Sequence, residues 1–431
     1  MKTYHIITIG CQMNKSDSER LAGRLEQNDY KKTDNKYQAD LIVVNTCGVR
    51  QAAEDRVYGL IPEIKKANKK AKVILTGCLA GREDVKNRLN KYVDEWLPID
   101  KIFNFQINAR CEGDYFKVKP KYESKFSAFV PIGNGCNNFC SYCVVPYARG
   151  REVYRPAEDV LVEVKNLVKK NYKEIILIAQ NVNSYQSGKI DFAGLLKLAN
   201  NIKGDFWIKF MTSHPKDMSD KLIKTMAECE KVCSYVHLPV QAGDDGILEK
   251  MNRKYTYKDY VSLIKKIRRA MPDSSITTDI IVGFPGETKK QFNNTAKLMR
   301  KVKFDLAYIA KYSVRQGTAA AKLPDNVSGV EKKRRELELM KILKNTALEN
   351  NKKYHGKIVK VLVAGKNKRN ELFGSTKTAK TVKVLLGDFD RRLLRSLALP
   401  RNDKLVGKFA NIKITKAQDF GLTGEVINYE E

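Results

Sequence analysis

The sequence predicts an α/β chain in three parts: an N-terminal doubly wound α/β domain, a central partial (β/α)6 barrel and a small C-terminal β-barrel. Three observations predict it. Over residues 1–110, short runs of β-branched residues alternate with amphipathic helical stretches, the pattern of buried parallel strands and their crossovers. Over 122–352 six more apolar runs alternate with helices. Over 353–430 the hydrophobic period shortens towards two, with Gly at the turns.

Within the N-terminal stretch a strand-then-cysteine unit recurs three times. Tyr4–Ile9 runs into Gly10-Cys11, Leu41–Asn45 into Thr46-Cys47, and Val73–Thr76 into Gly77-Cys78. Ser16-x-x-Glu19 has the capping-box pattern and predicts a helix opening there and running to Gln27. Ala53, Val57, Leu60, Ile61 and Ile64 form the apolar face of a second helix. Ligands of such sheets bind beyond the carboxyl ends of the strands. All three cysteines stand at those ends, so the fold brings thiols 36 and 31 residues apart to one rim. Three inert core cysteines are the alternative. From Pro98 to Tyr122 the periodicity fades into a linker containing Cys111, which is given no ligand role.

The central stretch opens on Ala128–Ile132, followed by Cys136, Cys140 and Cys143 in C-x3-C-x2-C spacing. Thiolates suit zinc or iron–sulfur clusters. A structural zinc site is closed by four ligands. Three cysteines with no neighbouring fourth ligand point instead to a [4Fe–4S] cluster with one iron open; a zinc knuckle with a distant fourth ligand remains the alternative. The other five strands are expected at Ile175–Ala179, Trp207–Met211, Tyr235–Leu238, Ile276–Val282 and Leu306–Ala310. A closed barrel needs eight units, so six give an incomplete one, with its chemistry at the C-terminal strand ends. Polar residues gather there: Gln180 and Asn181, Ser213 and His214, His237 to Gln241, Asp279, and Tyr312-Ser313. Cys229 and Cys233 are expected on one helix face as core packing. Glu331–Tyr354 reads as a charged connecting helix, and Lys357–Val363, Thr381–Leu386 and Ala410–Ile414 as strands of the C-terminal barrel.

Charge speaks to partners. Eighty Lys and Arg against 49 Asp and Glu give a net +31, which favours nucleic acid. Residues 351–431 alone hold 18 Lys/Arg and 8 Asp/Glu, a net +10 that suits phosphate contacts. No apolar run approaches the ~20 residues needed to span a bilayer, so no membrane partner is expected. Nine cysteines, an odd number, argue for metal or redox chemistry in a reducing cytoplasm rather than for a disulfide framework.

The string Gly135-Cys136-Asn137-Asn138-Phe139-Cys140-Ser141-Tyr142-Cys143-Val144-Val145-Pro146-Tyr147-Ala148-Arg149-Gly150 resembles the radical S-adenosylmethionine methylthiotransferases. Within them it is most similar to the branch acting on N6-dimethylallyladenosine of tRNA. Gly10-Cys11-Gln12-Met13-Asn14, Asn45-Thr46-Cys47 and Thr76-Gly77-Cys78 match the family's N-terminal cysteine positions, and Thr278–Glu287 a core motif. Ala179, Ala242, Val314 and Gln316 depart from the family pattern around the cofactor and substrate. The basic tail resembles, more loosely, the TRAM domain of tRNA-modifying enzymes.

The resemblance implies two [4Fe–4S] clusters and S-adenosylmethionine. Cys136, Cys140 and Cys143 would hold the cluster that cleaves S-adenosylmethionine to a 5′-deoxyadenosyl radical, and Cys11, Cys47 and Cys78 an auxiliary cluster that delivers sulfur. Gln180, Asn181, Ser213, His237, Gln241 and Asp279 are the expected cofactor-binding residues; no catalytic residue is assigned beyond the cluster ligands. The implied reaction adds a methylthio group to C2 of an N6-modified adenosine at position 37 of a tRNA anticodon stem-loop. An electron donor and a sulfur source are the other expected partners, with the enzyme a monomer. The N6 group is expected to be dimethylallyl, with threonylcarbamoyl as alternative; an aspartate of a ribosomal protein, or a zinc-bearing RNA-binding protein without catalysis, are the other readings.

Overall fold

The computed structural model describes residues 1–49, 51–102, 115–386 and 404–429. Cys111 lies outside the described residues. The N-terminal region is a parallel sheet of β1 (Thr3–Ile9), β2 (Lys31–Lys32), β3 (Leu41–Thr46), β4 (Lys72–Gly77) and β5 (Glu95–Leu97), in the order β2-β1-β3-β4-β5. Helices α1 (Gln12–Gln27), α2 (Gln51–Ala67), α3 (Glu83–Leu89) and the short α4 (Ile99–Ile102) lie between or beyond them. β3 is buried along its whole length, as its unbroken apolar run requires. Strand order reverses between β1 and β3, the switch point at which flavodoxin-like sheets bind their ligands.

Helix α1 begins five residues earlier than its capping-box pattern predicts. Cys11 stands at its N-cap, and the Asn14 side chain accepts the Cys11 amide at 3.2 Å, so Ser16 and Glu19 fall inside the helix. Short-range pattern alone cannot choose between two overlapping caps. Asn14 decides because it also donates to Asn45 Oδ1 at 2.8 Å, tying the helix start to β3.

Central strands β6 (Ser127–Pro131), β9 (Glu174–Ile178), β12 (Trp207–Phe210), β13 (Tyr235–His237), β14 (Ser275–Val282) and β15 (Leu306–Lys311) are parallel in the order β6-β9-β12 and β13-β14-β15. A bridge from Ile208 to Val232 joins the two halves, so six strands run in sequence order. Two-residue ladders β7 (Gly133–Asn134) with β8 (Val153–Tyr154), and β10 (Gln186–Ser187) with β11 (Ile190–Asp191), decorate the loops. The helices are α5 (Val145–Arg149), α6 (Ala157–Lys169), α7 (Phe192–Asn200), α8 (Asp220–Glu228), α9 (Asp245–Lys250), α10 (Tyr257–Ala270), α11 (Lys289–Val302) and α12 (Gly329–Lys352). Outward strand residues such as Ile175, Leu177, Ile208 and Ile276 pack with helix residues Val160, Leu195 and Ile264 in one core.

Cys229 and Cys233 do not share a helix face. α8 ends at Glu228, because Cys229 takes extended backbone as its C-cap. Both are buried, Cys229 in the main core and Cys233 beside Trp207, Leu362 and Phe409.

The C-terminal region is a closed barrel of β16 (Ile358–Lys366), β17 (Leu372–Thr376), β18 (Thr381–Leu385), β19 (Phe409–Gln418) and β20 (Gly421–Tyr429), in the order β16-β17-β18-β20-β19. It seats on the central domain through Trp207 and Phe409, ring centroids 4.7 Å apart, and a buried Lys380–Asp305 ion pair at 2.5 Å. Among the described residues no helix is long and apolar enough to cross a membrane.

Candidate functional site: two three-cysteine rims facing one bore

Cys11, Cys47 and Cys78 follow β1, β3 and β4 and are held by backbone. Cys47 N–H donates to Ile9 O and Cys78 N–H to Thr46 O, both at 2.8 Å, which extends the ladder past each strand end. The turn before Cys78 needs glycine. Gly77 has φ +87°, and a Cβ there would lie 2.3 Å from Thr46 O. Gly48 fits against Cys78, where a Cβ would stand 3.1 Å from the Cys78 Cβ.

The loop of Cys136, Cys140 and Cys143 is fixed just as closely. Gly135 (φ +83°) lies against Arg151 O, 2.0 Å from where a Cβ would sit. Phe139 is in the left-handed region (φ +47°), an arrangement a non-glycine residue adopts only where its surroundings impose it. The neighbouring loop from α9 imposes it: Asn252 donates to Phe139 O at 2.9 Å, and Ser141 donates to Lys250 O at 2.7 Å and Met251 O at 3.1 Å. Arg253 donates to Cys140 Sγ at 3.4 Å and to Pro239 O at 2.7 Å, so a buried guanidinium faces the thiol.

The rims face each other. Burial pushes the Cys143 thiol up, and Cys140, Cys136 and Cys78 reinforce it, so the second rim feels a cysteine of the first. Cys11 is also raised by burial, countered by Arg149 and reinforced by Cys78. Arg149 joins the halves. Its side chain bonds Asp17 at 2.6 Å, with only 2% and 1% of the two side chains exposed, and it reaches Asn134 at 3.2 Å. Desolvation disfavours its charge, but Asp17 and the Cys78 and Cys11 thiols outweigh this and raise its pKa. Asp17 and Arg149 each lie six positions beyond a rim cysteine, Cys11 and Cys143. A second tie runs from Arg315 to Val49 O (3.1 Å), Gln51 (2.8 Å) and Glu54 (3.2 Å) beside Cys47.

Met13 fills a portion of the bore between the rims. It is buried against Ile176 and Ile178, with Cys11, Phe129 and Met211 packed beside them. These side chains give the bore an apolar wall beside Cys11.

The polar strand-end residues fall into two neighbouring groups. Gln180, Asn181 and Ser213 follow β9 and β12, while His237 ends β13, Gln241 lies beyond it in a bridge to Ile280, and Asp279 belongs to β14. Gln180 Oε1, Asn181 Oδ1, Ser213 Oγ and Gln241 Oε1 are buried with no hydrogen-bond partner. Leaving such atoms unpaired costs about 1–3 kcal/mol each, so four at one rim fit a polar ligand there. His237 is different: Nδ1 meets Thr277 Oγ1 at 2.9 Å and Nε2 meets Asp279 at 3.4 Å. Thr212 (φ +72°) and Gln241 (φ +69°) are strained, as ligand-gripping backbone often is. His214 is held neutral, its pKa lowered to about 2 by burial and by Arg253 and Lys216.

The thiols fit iron–sulfur clusters. Eight described cysteines are free of disulfides, and six of them stand on these two rims. Among the described residues no three His, Cys, Asp or Glu converge on a single ion. Thiolates of a cubane bind different irons and stand further apart than the ligands of one ion.

Three family models match the chain: the Radical SAM superfamily over residues 130–299, "Uncharacterized protein family UPF0004" over 3–97 and the TRAM domain over 352–427. A tRNA-2-methylthio-N6-dimethylallyladenosine synthase of Clostridium novyi (strain NT) is 44% identical over 99% of this chain and 97% of its own. The chain belongs to the tRNA-2-methylthio-N6-dimethylallyladenosine synthase family. A second member, from Thermoanaerobacter sp. (strain X514), is 43% identical over 98% of this chain and 92% of its own. Among solved structures, the radical S-adenosylmethionine methyltransferase TsrM of Kitasatospora setae is similar in fold. Its TM-score is 0.52 at 13% identity, over 72% of this chain and 73% of that one. In this family member the residues that the sequence left unread are Asp17, Arg149, Arg253, Thr212 and the bore-filling role of Met13. Only the placement of the N-terminal domain against the core makes most of them visible.

Proposed function

We infer that this protein is a tRNA methylthiotransferase, a radical S-adenosylmethionine enzyme that adds a methylthio group to C2 of N6-dimethylallyladenosine in tRNA. The observation that carries the reading is two three-cysteine rims across one bore, in a chain 44% identical to a synthase of that name. The relatives' names favour dimethylallyl over threonylcarbamoyl, and tRNA over a ribosomal protein. S-adenosylmethionine and [4Fe–4S] clusters supply the radical and sulfur chemistry that an unactivated C–H bond demands; the protein's role is to bind, orient and shield.

Cys136, Cys140 and Cys143 are the proposed ligands of one cluster, Cys11, Cys47 and Cys78 of the other. Arg253 places a buried positive charge 3.4 Å from Cys140 Sγ, fixing the position of that ligand. Gln180, Asn181, Ser213 and Gln241 offer their unpaired atoms to the polar groups of S-adenosylmethionine. Asp279 and the His237 it faces orient the neighbouring strand end. Met13 gives the bore an apolar wall, and the Asp17–Arg149 pair fixes the spacing of the two rims. The basic C-terminal barrel grips phosphates of the anticodon stem-loop with position 37 over the bore. We place the three domains at 1–110, 122–352 and 353–430, the enzyme in the cytoplasm as a monomer, and an electron donor and a sulfur source as its other partners.

The test is mass spectrometry of tRNA nucleosides from cells lacking the protein. The methylthio group should vanish and N6-dimethylallyladenosine accumulate. Unchanged methylthiolation sinks the reading.

A further inference from the structure

A cavity of about 340 Å³ lies below the strand ends, between the inner faces of β9, β12, β13, β14 and β15 and the C-terminal barrel. It adjoins both halves of the site. Thr277 lines it and bonds His237 at 2.9 Å, while the Tyr308 ring in its wall packs on His237 at 6.0 Å. Ile176 and Met211 line it too, and both pack with Met13 and Cys11. A purine carries C2 and C6 on one six-membered ring. A base with C2 at the junction of the rims therefore has its N6 substituent only a few bonds away.

We propose that this cavity receives the N6 substituent of the target adenosine and selects an uncharged branched hydrocarbon over one bearing a carboxylate. This rests on the tRNA reading above. The wall is apolar where a hydrocarbon would lie, at Met211, Leu306, Tyr308 and Phe420. Tyr308 and Phe420 remain 48% and 43% exposed, aromatic surface with room for an apolar group to cover. The charges are matched within the protein. Lys209 pairs with Glu174 and donates to Ser375 at 3.1 Å, and Lys380 pairs with Asp305 at 2.5 Å. A carboxylate entering here meets two ammonium groups already neutralised, with the Asp419 carboxylate in the lining to repel it.

The experiment measures binding of the cluster-loaded enzyme to labelled anticodon stem-loops by fluorescence anisotropy under anaerobic conditions. The RNAs carry adenosine, N6-dimethylallyladenosine or N6-threonylcarbamoyladenosine at position 37. The unaltered enzyme should prefer the dimethylallyl RNA; absence of that preference overturns the substrate reading and this proposal with it. Leu306→Ala and, independently, Phe420→Ala on its exposed turn should cut the preference about tenfold, the worth of roughly two buried methylenes, with binding to the unmodified RNA unchanged. Asp305→Asn frees the Lys380 ammonium and should tighten the threonylcarbamoyl RNA several-fold. A wild-type preference that both alanine variants retain, with no gain for Asp305→Asn, overturns the cavity assignment and leaves the substrate reading standing.

Discussion

Replacing Arg149 by Met removes one partner of an ion pair whose side chains are 2% and 1% exposed. What remains is the Asp17 carboxylate, buried between two domains with the Tyr115 hydroxyl at 2.9 Å as a donor. Breaking a buried pair on one side costs about 3–5 kcal/mol, because the surviving charge stays desolvated. The pair ties the domains, so the loss should fall on docking. Hydrogen exchange of the α1 amides reads that opening directly, and protection should drop about a hundredfold to several thousandfold. The penalty should also depend on pH. An orphaned buried carboxylate has its pKa raised, so the folded variant binds more protons than the unfolded chain. Its stability then falls as pH rises from the ordinary carboxylate range towards the raised value, and the variant approaches the unaltered protein in acid. Adding Asp17→Leu removes the stranded charge and should restore much of the protection. A single variant within about 1 kcal/mol of the parent, below the floor for a buried pair, would refute the reasoning.

Three further outcomes follow from the site. Cys140→Ala should abolish S-adenosylmethionine cleavage, whereas Cys47→Ala should leave cleavage measurable and stop thiolation; equal loss of cleavage contradicts the division between rims. Gly77→Ala, strained at φ +87° and 2.3 Å from Thr46 O, should displace Cys78 and cost about half the bound iron while cleavage survives. In Gly135→Ala the clash is with Arg151 O at 2.0 Å, and cleavage should go as well; iron analysis and a 5′-deoxyadenosine assay distinguish the two. Burial raises the Glu19 pKa to about 7, and Oε2 has no hydrogen-bond partner. A raised acid loses stability as pH climbs from about 4.5 to 7, so Glu19→Gln should flatten that fall and stabilise the protein at pH 8, by up to roughly 3 kcal/mol, in thermal melts.

The N-terminal rim was legible because Cys11, Cys47 and Cys78 each follow a strand whose apolar run is written in local sequence, and a parallel sheet collects its strand ends; the second was legible because C-x3-C-x2-C spacing puts three thiols in one loop. The six central strands were legible from their own apolar runs. The helix start at Cys11 was not, since Ser16-x-x-Glu19 satisfies the same local rule and only Asn45, from another strand, breaks the tie. β17 and β20 were harder to read than their neighbours because Gly374 and Gly424 interrupt their alternation. Both glycines are needed: a Cβ at Gly374 would lie 2.4 Å from Leu362 O, and at Gly424 2.5 Å from Lys413 O. Nothing in the local sequence around Arg149, Arg253 and Arg315 signals burial. Each is buried, and each faces a partner from a distant stretch of chain that no window of sequence could supply.

Met13 gives the chain a property that its division into domains conceals. Sulfur donor and radical generator could in principle be separate modules, exchanged between relatives like cassettes. Here the first two turns of α1 serve both rims: Cys11 stands on the N-terminal rim, Met13 is packed into the central bore, and Asp17 grips Arg149. A graft that swapped the N-terminal domain would have to carry residues 11, 13 and 17 together with a matching arginine and bore lining. Without them it would unseal one site while transplanting the other. The boundary that matters for engineering this enzyme therefore runs through the bore and not through the linker.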